Sequence, residues 1–374
     1  MILTSIIISI IYLALIWRFT YGFDKVLTFK LTDLASKTQF SILIPFRNEA
    51  KNLSSLLLSL ENLNYPKHLF EIVFIDDDST DCSAEIITQY FNKKQQKFKI
   101  IGNDRQTNSP KKDAITTAIK QAKHEWIITT DADCSLPKYW LDSFDEFIQK
   151  TKAKCIAAPV AYSKQKGFLN RFQTLDLLSL QGATIGGFGI KKPFLCNGAN
   201  FGYTKTLFKT VNGFEGNTNI ASGDDIFLLE KAVKKHPKNT HYLKCKHAIV
   251  KTNAQPSWSS LIEQRLRWAS KASAYNNFFG KLTGLIVLLI NTLIISIILL
   301  SFFGYFPLKT LFYILLIKFS IDFYLIHKTA SFFNQKWVLK SFIPTFCIYP
   351  FFSVYIAFLS IFKTYKWKGR EFKK

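Results

Sequence analysis

Two aspartates, Asp131 and Asp133, follow the run "WIITT" of residues 126–130 with a single alanine between them. A short run of apolar and β-branched residues that stops at a charge is typical of a buried strand reaching the edge of its sheet. Because residues i and i+2 of a strand point to the same side, we expect the two carboxylates to face one spot. Carboxylates held together repel, and a hard divalent cation such as Mg²⁺ relieves that repulsion. These residues predict a metal site, and they also leave open a strand end with two solvated aspartates.

A second acidic strand end supports the metal site, since Asp76 and Asp77 follow the apolar run "FEIVFI". The sequence predicts strands that alternate with amphipathic helices, which is the pattern of a mostly parallel, Rossmann-like sheet with helices on both faces. The predicted strands are 40–45, 70–75, 97–101, 126–130 and 154–159, and the predicted helices are 49–62, 80–92, 112–123 and 137–148. Ligands of such sheets bind beyond the carboxyl ends of the strands, so both acidic ends would line one site.

The composition indicates an anionic partner, because the formal net charge is +23. Nucleotide phosphates or an anionic membrane surface would satisfy that charge. We expect no nucleic-acid partner, because the chain has long apolar runs and lacks a nucleic-acid-binding module. The six cysteines are scattered without metal-ligand spacing, which predicts reduced thiols in a cytosolic domain and no zinc site.

Apolar runs at both ends of the chain predict membrane segments. Residues 1–17 read as an uncleaved anchor, because they lack a basic leader and a cleavage signal. Three further runs lie at 282–303, 307–326 and 341–362. The middle run carries Lys318 and Asp322, which either pair within a spanning helix or mark a helix that lies at the interface.

The charges around the last run create a conflict of topology. The loop 327–340 and the tail 364–374 are both basic, so both favour the cytoplasmic side. A complete crossing between them would put one of them outside. Three solutions stay open: the last segment is re-entrant, the middle segments do not span as drawn, or the tail breaks the rule.

Five motifs carry a resemblance to a known family. They are "FSILIPFRNEAKNL", "EIVFIDDDSTD", "TTDADC", "SGDDIFLLEKA" and "QRLRW", in this order along the chain. Together they resemble the membrane-bound, inverting glycosyltransferases of family 2, which include cellulose, chitin and hyaluronan synthases and ceramide glucosyltransferases. The resemblance covers residues 38–272 and implies a GT-A-like fold. The expected organisation is an anchor at 1–20, a cytosolic catalytic domain at 38–255, an amphipathic interface helix at 256–280, membrane segments at 281–363 and a basic tail at 364–374.

The resemblance also assigns a donor site. The residues that would bind a nucleotide sugar are Asn48, Glu49, Asp76, Asp77, Lys112, Asp131 and Asn200, and Asp131 and Asp133 would hold Mg²⁺ or Mn²⁺. This sequence has Asp78 where the family often has glycine, and it lacks the glycine that usually precedes the lysine. The plainer alternatives are an N-cap cluster of Asp78, Ser79 and Thr80 for the next helix and helix capping by Asn48 and Glu49. For Lys112 and Asn200 they are a solvated surface lysine and a tight turn.

The reaction implied by the resemblance needs a base, because the acceptor hydroxyl must lose a proton as it attacks the anomeric carbon. Asp225 matches the family's base. Asp224, Gln264, Arg267 and Trp268 match residues beside the acceptor and the diphosphate, although the family usually has glutamate at position 224. The alternatives are an acidic start of the helix 224–235 and an amphipathic helix at the membrane surface that carries the tryptophan.

The expected protein is therefore a multi-pass glycosyltransferase of the cell (inner or plasma) membrane with its catalytic domain in the cytoplasm. It would move a sugar from a nucleotide-sugar donor, with a UDP-sugar favoured, to a lipid or lipid-linked glycan acceptor. A processive polysaccharide synthase of the same family is the alternative within this class. A non-catalytic membrane scaffold and a nucleotidyltransferase are the alternatives outside it.

Overall fold

The computed structural model describes residues 1–92, 94, 96–271 and 274–372. The chain forms two compact units, and both are discontinuous in sequence. The helical unit comprises Met1–Val26, Lys164–Phe194 and Ala254–Lys374, and the sheet unit comprises Leu27–Ser163 and Leu195–Asn253.

The sheet unit alternates strands and helices, as the sequence predicts. Its strands are β1 Phe40–Phe46, β2 Phe70–Asp76, β3 Phe98–Gly102, β4 Trp126–Thr129, β5 Cys155–Ala157, β6 Val160–Tyr162, β7 Phe201–Thr204, β8 Thr240–Tyr242 and β9 Val250–Thr252. The helices of this unit are α2 Leu53–Glu61, α3 Ser83–Asn92, α4 Pro110–Gln121, α5 Trp140–Lys150, α7 Lys205–Thr210 and α8 Asp224–Lys235.

Seven of these strands form one sheet in the order β3-β2-β1-β4-β7-β5-β8. β7 runs antiparallel to its neighbours β4 and β5, and the other pairs are parallel. β6 and β9 pair separately in a small parallel sheet. The predicted mostly parallel sheet is therefore confirmed.

Burial explains why the central strands read as continuous apolar runs. In β1, Phe40, Ile42 and Ile44 have no exposed surface, and neither does Leu43, which points to the opposite face. A strand covered on both faces has no solvated side, so its sequence does not alternate between apolar and polar residues.

The helical unit contains the apolar segments. Its helices are α1 Ile2–Lys25, α6 Phe168–Gly189, α9 Trp258–Ser270, α10 Phe278–Phe302, α11 Leu308–Phe332 and α12 Phe342–Phe362, and a 3₁₀ helix at Lys336–Ser341 leads into α12. A hairpin of β10 Tyr365–Trp367 and β11 Arg370–Phe372 follows. Four helical segments are long and apolar enough to cross a membrane: Ile2–Lys25, Phe278–Phe302, Leu308–Phe332 and Lys336–Phe362.

Helix α6 has no counterpart among the predicted elements. Residues 164–194 fall within the predicted catalytic domain 38–255, whereas the structure groups them with the terminal helices. α6 belongs with the terminal helices because it packs on α1 through glycines, which have no side chains to keep the two backbones apart. A Cβ on Gly189 would lie 1.8 Å from the carbonyl oxygen of Gly22, so α1 and α6 touch through their backbones.

The charged pair inside α11 is formed. Lys318 Nζ lies 2.6 Å from Asp322 Oδ2, and the hydroxyl of Tyr12 in α1 donates a 2.6 Å hydrogen bond to Asp322 Oδ1. Of the two expectations for these residues, pairing within the helix bundle is the one that the structure contains.

Candidate active site

The acidic residues gather at one edge of the large sheet. β1 pairs in parallel with β2 and with β4, so the carboxyl ends of the three strands meet there. The chain continues from β2 into Asp77 and from β4 into Asp131. This edge is where ligands of open parallel sheets bind.

Asp131 and Asp133 come together as predicted, but by a different route. β4 ends at Thr129, and residues 131–134 form a turn in which the N–H of Cys134 donates to the carbonyl of Asp131. Donor atoms of Asp131, Asp133 and Cys134 lie within 4.8 Å of one another. The turn, and not the alternation of a strand, places the two carboxylates side by side.

These ligand atoms suit a hard cation. Burial raises the pKa of the Cys134 thiol well above its ordinary value, and the charges of Asp133 and Asp131 raise it further. The thiol therefore stays protonated, and the two carboxylates are the available donors. Carboxylate oxygens are what Mg²⁺ and Mn²⁺ prefer.

A lysine that sequence reasoning passed over reaches this centre. Lys111 Nζ lies 2.6 Å from Asp131 Oδ1 and 3.4 Å from Asp224 Oδ2. Burial alone would lower the pKa of Lys111, but the charges of Asp131, Asp224 and Asp225 outweigh burial and raise it. The ammonium group is therefore charged at neutral pH and joins the end of β4 to the start of α8.

The neighbouring lysine, Lys112, points elsewhere. Its side chain is 1% exposed, and its ammonium donates to the carbonyls of Asn217 at 2.7 Å and Ile220 at 2.8 Å. It also lies 4.8 Å from the ring centre of Phe227. The expected diphosphate contact of Lys112 does not fit this position, and Lys111, one residue earlier, is the lysine that reaches the acidic centre.

Asp224 and Asp225 open helix α8 beside the turn that carries Gly198. The N–H of Gly198 donates a 2.9 Å hydrogen bond to Asp225 Oδ2, and the N–H of Ile226 donates to Asp225 Oδ1 at 2.8 Å. A Cβ on Gly198 would lie 2.9 Å from Asp224 Oδ2 and 3.3 Å from Lys111 Nζ. Glycine at this position keeps the acidic centre open.

The side chain of Asn200 makes structural hydrogen bonds inside the sheet unit. Its amide donates to the carbonyls of Pro159 at 2.8 Å and Ala248 at 2.7 Å, and its oxygen accepts from Trp140 Nε1 at 2.9 Å. The residue has no exposed surface. A sugar hydroxyl therefore cannot reach it in this conformation, which does not fit the expected sugar contact.

Hydrogen bonds join the loop after β1 to the segment after β2. Asn48 has φ 52° and accepts a 2.8 Å hydrogen bond from the N–H of Thr80. Asp78 has φ 66°, the left-handed conformation in which glycine is common, so aspartate here keeps the expected turn. The N–H of Glu49 donates to Ser83 Oγ at 2.9 Å.

Asp76 and Asp77 occupy different environments within this loop pair. Asp76 Oδ1 accepts from the N–H of Ser79 at 2.9 Å, and Asp77 Oδ1 accepts from Asn103 Nδ2 at 2.7 Å. Arg105 Nη1 lies 3.4 Å from Asp77 Oδ1. Helix α3 begins only at Ser83, where Asp81 accepts from the Ser83 N–H, so the expected cap by residues 78–80 is replaced by Asp81.

The residues of the "QRLRW" motif lie on α9 in the helical unit, as expected for a helix. Arg265, to which the sequence assigns no role, forms an ion pair within the helical unit. Its Nη2 lies 2.6 Å from Asp176 Oδ2, and its guanidinium carbon lies 4.1 Å from the ring centre of Trp268. Arg265 Nη1 also donates to Gln264 Oε1. The motif is therefore fixed to α6 through Asp176, while Arg267 is half-buried on the same helix.

An open, mostly parallel sheet with carboxylates beyond its strand ends defines the nucleotide-binding class of α/β folds. The family model of glycosyl transferase family 2 matches residues 41–211. Residues 41–211 therefore match a glycosyl transferase family 2 domain, the family that the motifs predict.

Similar proteins agree with that domain. The poly-beta-1,6-N-acetyl-D-glucosamine synthase of Staphylococcus epidermidis is 25% identical over 237 residues, which are 61% of this chain and 53% of that protein. The probable glycosyltransferase YdaM of Bacillus subtilis is 23% identical over 259 residues, which are 66% of this chain and 60% of that protein. The chain thus spans little more than half the length of these relatives.

A solved structure shares the fold. The mannosyltransferase PcManGT from Pyrobaculum calidifontis, in complex with GDP-Man and Mn²⁺, superposes with a TM-score of 0.57 and 14% identity over 96% of this chain and 98% of that one. The predicted GT-A-like fold with apolar helices at both ends is confirmed.

Proposed function

We propose that this protein is a membrane-bound, inverting glycosyltransferase that moves a sugar from a UDP-sugar to a lipid or lipid-linked glycan acceptor. One observation carries the proposal: four carboxylates and a half-buried cation meet in a glycosyl transferase family 2 domain. The cation is Lys111, and the carboxylates are Asp131, Asp133, Asp224 and Asp225. A scaffold that had lost its chemistry would have no use for so many like charges in one place.

The nucleotide would bind at the joined loops after β1 and β2. Asp76 and Asp77 offer carboxylate oxygens for the hydroxyls of a ribose or the N–H groups of a base. Asn48 and Glu49 shape the other wall of that site, because both are tied to the loop after β2. Lys111 would then meet the diphosphate, since its ammonium already lies at the turn of Asp131.

Asp131 and Asp133 would hold Mg²⁺ or Mn²⁺, and a bound cation of this kind supplies a Lewis acid for the departing diphosphate. The two carboxylates fit this role because they are neighbours and because the adjacent thiol stays protonated. Thr252 donates a 3.1 Å hydrogen bond to Asp133 Oδ2 and so fixes the orientation of that carboxylate.

Asp225 is the proposed general base. It would accept the proton of the acceptor hydroxyl while the hydroxyl oxygen forms a bond to the anomeric carbon. The bond from that carbon to the diphosphate oxygen breaks at the same time, and the electron pair leaves with the nucleoside diphosphate. The N–H groups of Gly198 and Ile226 hold the carboxylate of Asp225 in place. Asp224 would position Lys111.

The acceptor would be bound with the help of Gln264, Arg267 and Trp268 on α9. A planar guanidinium suits a diphosphate, and an indole suits the face of a sugar. We favour a lipid or lipid-linked acceptor in the cell membrane because four apolar segments are few for a channel that threads a polymer. The sheet unit would face the cytoplasm, where nucleotide sugars are made.

A processive polysaccharide synthase is the second candidate. The observation that favours it is the similarity to a poly-beta-1,6-N-acetyl-D-glucosamine synthase over 61% of this chain. The two candidates share the donor chemistry and differ in the product, because a synthase adds many sugars to one acceptor.

The test uses the full chain in nanodiscs with Mg²⁺ or Mn²⁺, a panel of nucleotide sugars and a total lipid extract. Release of nucleoside diphosphate that needs the lipid, the metal and Asp225 supports the transferase, and mass analysis of the product counts the sugars added. Asp33, an exposed aspartate, provides the matched control as Asp33→Asn. Binding of nucleotide without release from any donor would contradict the proposal.

A further inference from the structure

The apolar helix α12 has an unusual position within the helical unit. Three other helices define two sides of this unit. Phe19 of α1 packs on Phe279 at the start of α10, with ring centres 6.0 Å apart. Phe23 of α1 packs on Phe332 at the end of α11, at 6.4 Å. We name the side with these contacts the near side, and the side of the α10–α11 loop, residues 303–307, the far side.

The chain enters the helical unit twice more, at Lys164 and at Ala254. The segment from Lys164 leads into α6, whose Gly186 and Gly189 touch the near-side end of α1. The segment from Ala254 leads through α9 directly into the near-side start of α10. The last turn of α6 and the segment that joins α9 to α10 therefore belong to the near side.

Helix α12 contacts these two segments at its start, at its middle and after its end. Before its first turn, Lys164 lies 5.7 Å over the ring of Trp337, and Arg171 donates to Ser341. At its middle, Phe352 packs on Phe172 at 5.2 Å. Beyond its end, the strand β10 packs on α9.

These contacts conflict with a perpendicular crossing. α12 has 21 residues, so it is about 32 Å long at the usual rise of an α-helix. If it crossed, one of its ends would lie about a bilayer thickness away from the near side. Its start instead follows the near-side end of α11 after only nine residues, and the strand after its end packs on α9, which leads into the near-side start of α10.

The apolar surface of α12 fits lipid. Large side chains on one face are exposed by 39–71%, namely Ile348, Phe351, Tyr355, Phe358 and Phe362. Their spacing of three and four residues forms one stripe. The opposite face is covered by the bundle, where Phe342 packs on Phe319 and Phe323 at 5.1 Å.

The charges agree with this arrangement. The near-side ends of α1 and α11 and the segment before α12 carry Lys25, Lys328, Lys336 and Lys340, and Lys363 follows α12. The far-side loop has one lysine next to it, Lys309. Basic residues favour the cytoplasmic side and are attracted to anionic headgroups.

We propose that α12 does not complete a crossing of the bilayer, so that its exposed stripe lies among the acyl chains and the C-terminal hairpin stays on the near side. Three helices then cross, and the basic loop and the basic tail share one side. This inference needs the proposed membrane association but not the proposed reaction.

The test is labelling of single cysteines in sealed membrane vesicles with a maleimide that cannot cross the bilayer. Cys82, Cys196 and Cys347 are first replaced by alanine, while the buried Cys134, Cys155 and Cys245 remain. Lys25→Cys marks the near side, Tyr305→Cys marks the far side and Lys363→Cys reports the tail, and all three positions are exposed.

We expect Lys363→Cys and Lys25→Cys to behave alike, both labelled at once or both only after detergent, and Tyr305→Cys to do the opposite. Lys363→Cys grouping with Tyr305→Cys would overturn the inference. If Lys25→Cys and Tyr305→Cys group together, the membrane association itself fails. Proteolysis of a C-terminal tag on the unsubstituted chain gives the same answer if a cysteine variant does not fold.

Discussion

The two units of this protein use charge in opposite ways. In the helical unit, carboxylates are matched to single basic partners: Asp322 to Lys318, and Asp176 to Arg265. In the sheet unit, Asp131 and Asp224 share one lysine at a place where further carboxylates converge. Matched pairs neutralise charges where water is scarce, whereas an excess of one sign prepares a site for a ligand of the other sign. The arrangement of charges therefore indicates a structural role for the helical unit and a chemical role for the sheet unit.

The comparison is tested most strongly by Asp225→Asn. If the excess carboxylates serve chemistry, this change lowers the turnover of the sugar donor by about 10²–10⁴-fold, the usual contribution of a general base. Donor binding, measured by calorimetry, stays within experimental error. Asp33→Asn keeps wild-type turnover. Equal turnover in both variants would remove Asp225 from the reaction.

The matched pairs are tested by Arg265→Ala, which leaves the buried carboxylate of Asp176 without its basic partner. We expect a loss of about 3–5 kcal/mol in the free energy of unfolding of the detergent-solubilised chain, because an unpaired buried charge is costly. The double variant Arg265→Met with Asp176→Leu removes both charges and should recover most of that loss. If the double variant is no more stable than Arg265→Ala, the loss of stability does not come from the unpaired charge of Asp176.

The shared lysine is expected to have an intermediate effect. Lys111→Met removes a charged hydrogen-bond donor worth about 1.5–3 kcal/mol, which corresponds to about 10–150-fold in donor binding. The KM for the nucleotide sugar should rise by a similar factor. Lys120→Met, on the exposed part of the same helix, is the matched control. An unchanged KM in Lys111→Met would separate this lysine from the diphosphate.

The smallest effect concerns a structural carboxylate of the sheet unit. Burial alone would raise the pKa of Glu71, but hydrogen bonds from the Lys123 N–H and Ser41 and the charge of Lys99 outweigh it and lower the pKa. A lowered pKa in the folded state adds stability above the unfolded value, and that stability is lost as the pH falls through the folded value. The melting temperature of the wild type should therefore fall more steeply below about pH 4.5 than that of Glu71→Gln. Parallel curves for the two proteins would contradict this assignment.

The sequence predicts the sheet well because its strands are buried on both faces. The starts of β1, β2 and β4 are predicted at the observed residues, since apolar runs of that kind have few other uses. The predicted strand 154–159 covers only β5, and a second strand, β6, follows it in a different sheet. Pro159 lies between them and has no N–H to continue a ladder.

Other features depend on contacts that a single sequence does not display. Lys111 and Lys112 are adjacent on a helix and differ by about 100° in direction, so residue type cannot tell which one reaches the carboxylates. The turn that contains Asn200 resembles one that lines a sugar pocket. The three hydrogen bonds of the Asn200 side chain, however, are made with segments that are distant in the sequence. The sequence does not predict helix α6 because glycines and polar residues interrupt its apolar pattern, and those glycines are explained by close contacts with α1 and α11.

The discontinuity of both units has a consequence for biosynthesis. α1 leaves the ribosome long before α6, the helix whose glycines it contacts. At a synthesis rate of about 5–20 residues per second, α1 waits roughly 7–30 s for that partner. The sheet unit is interrupted by α6 as well and is complete only at Asn253. Neither unit can therefore finish folding before the other has begun, and ribosome stalling between residues 194 and 253 would leave both incomplete.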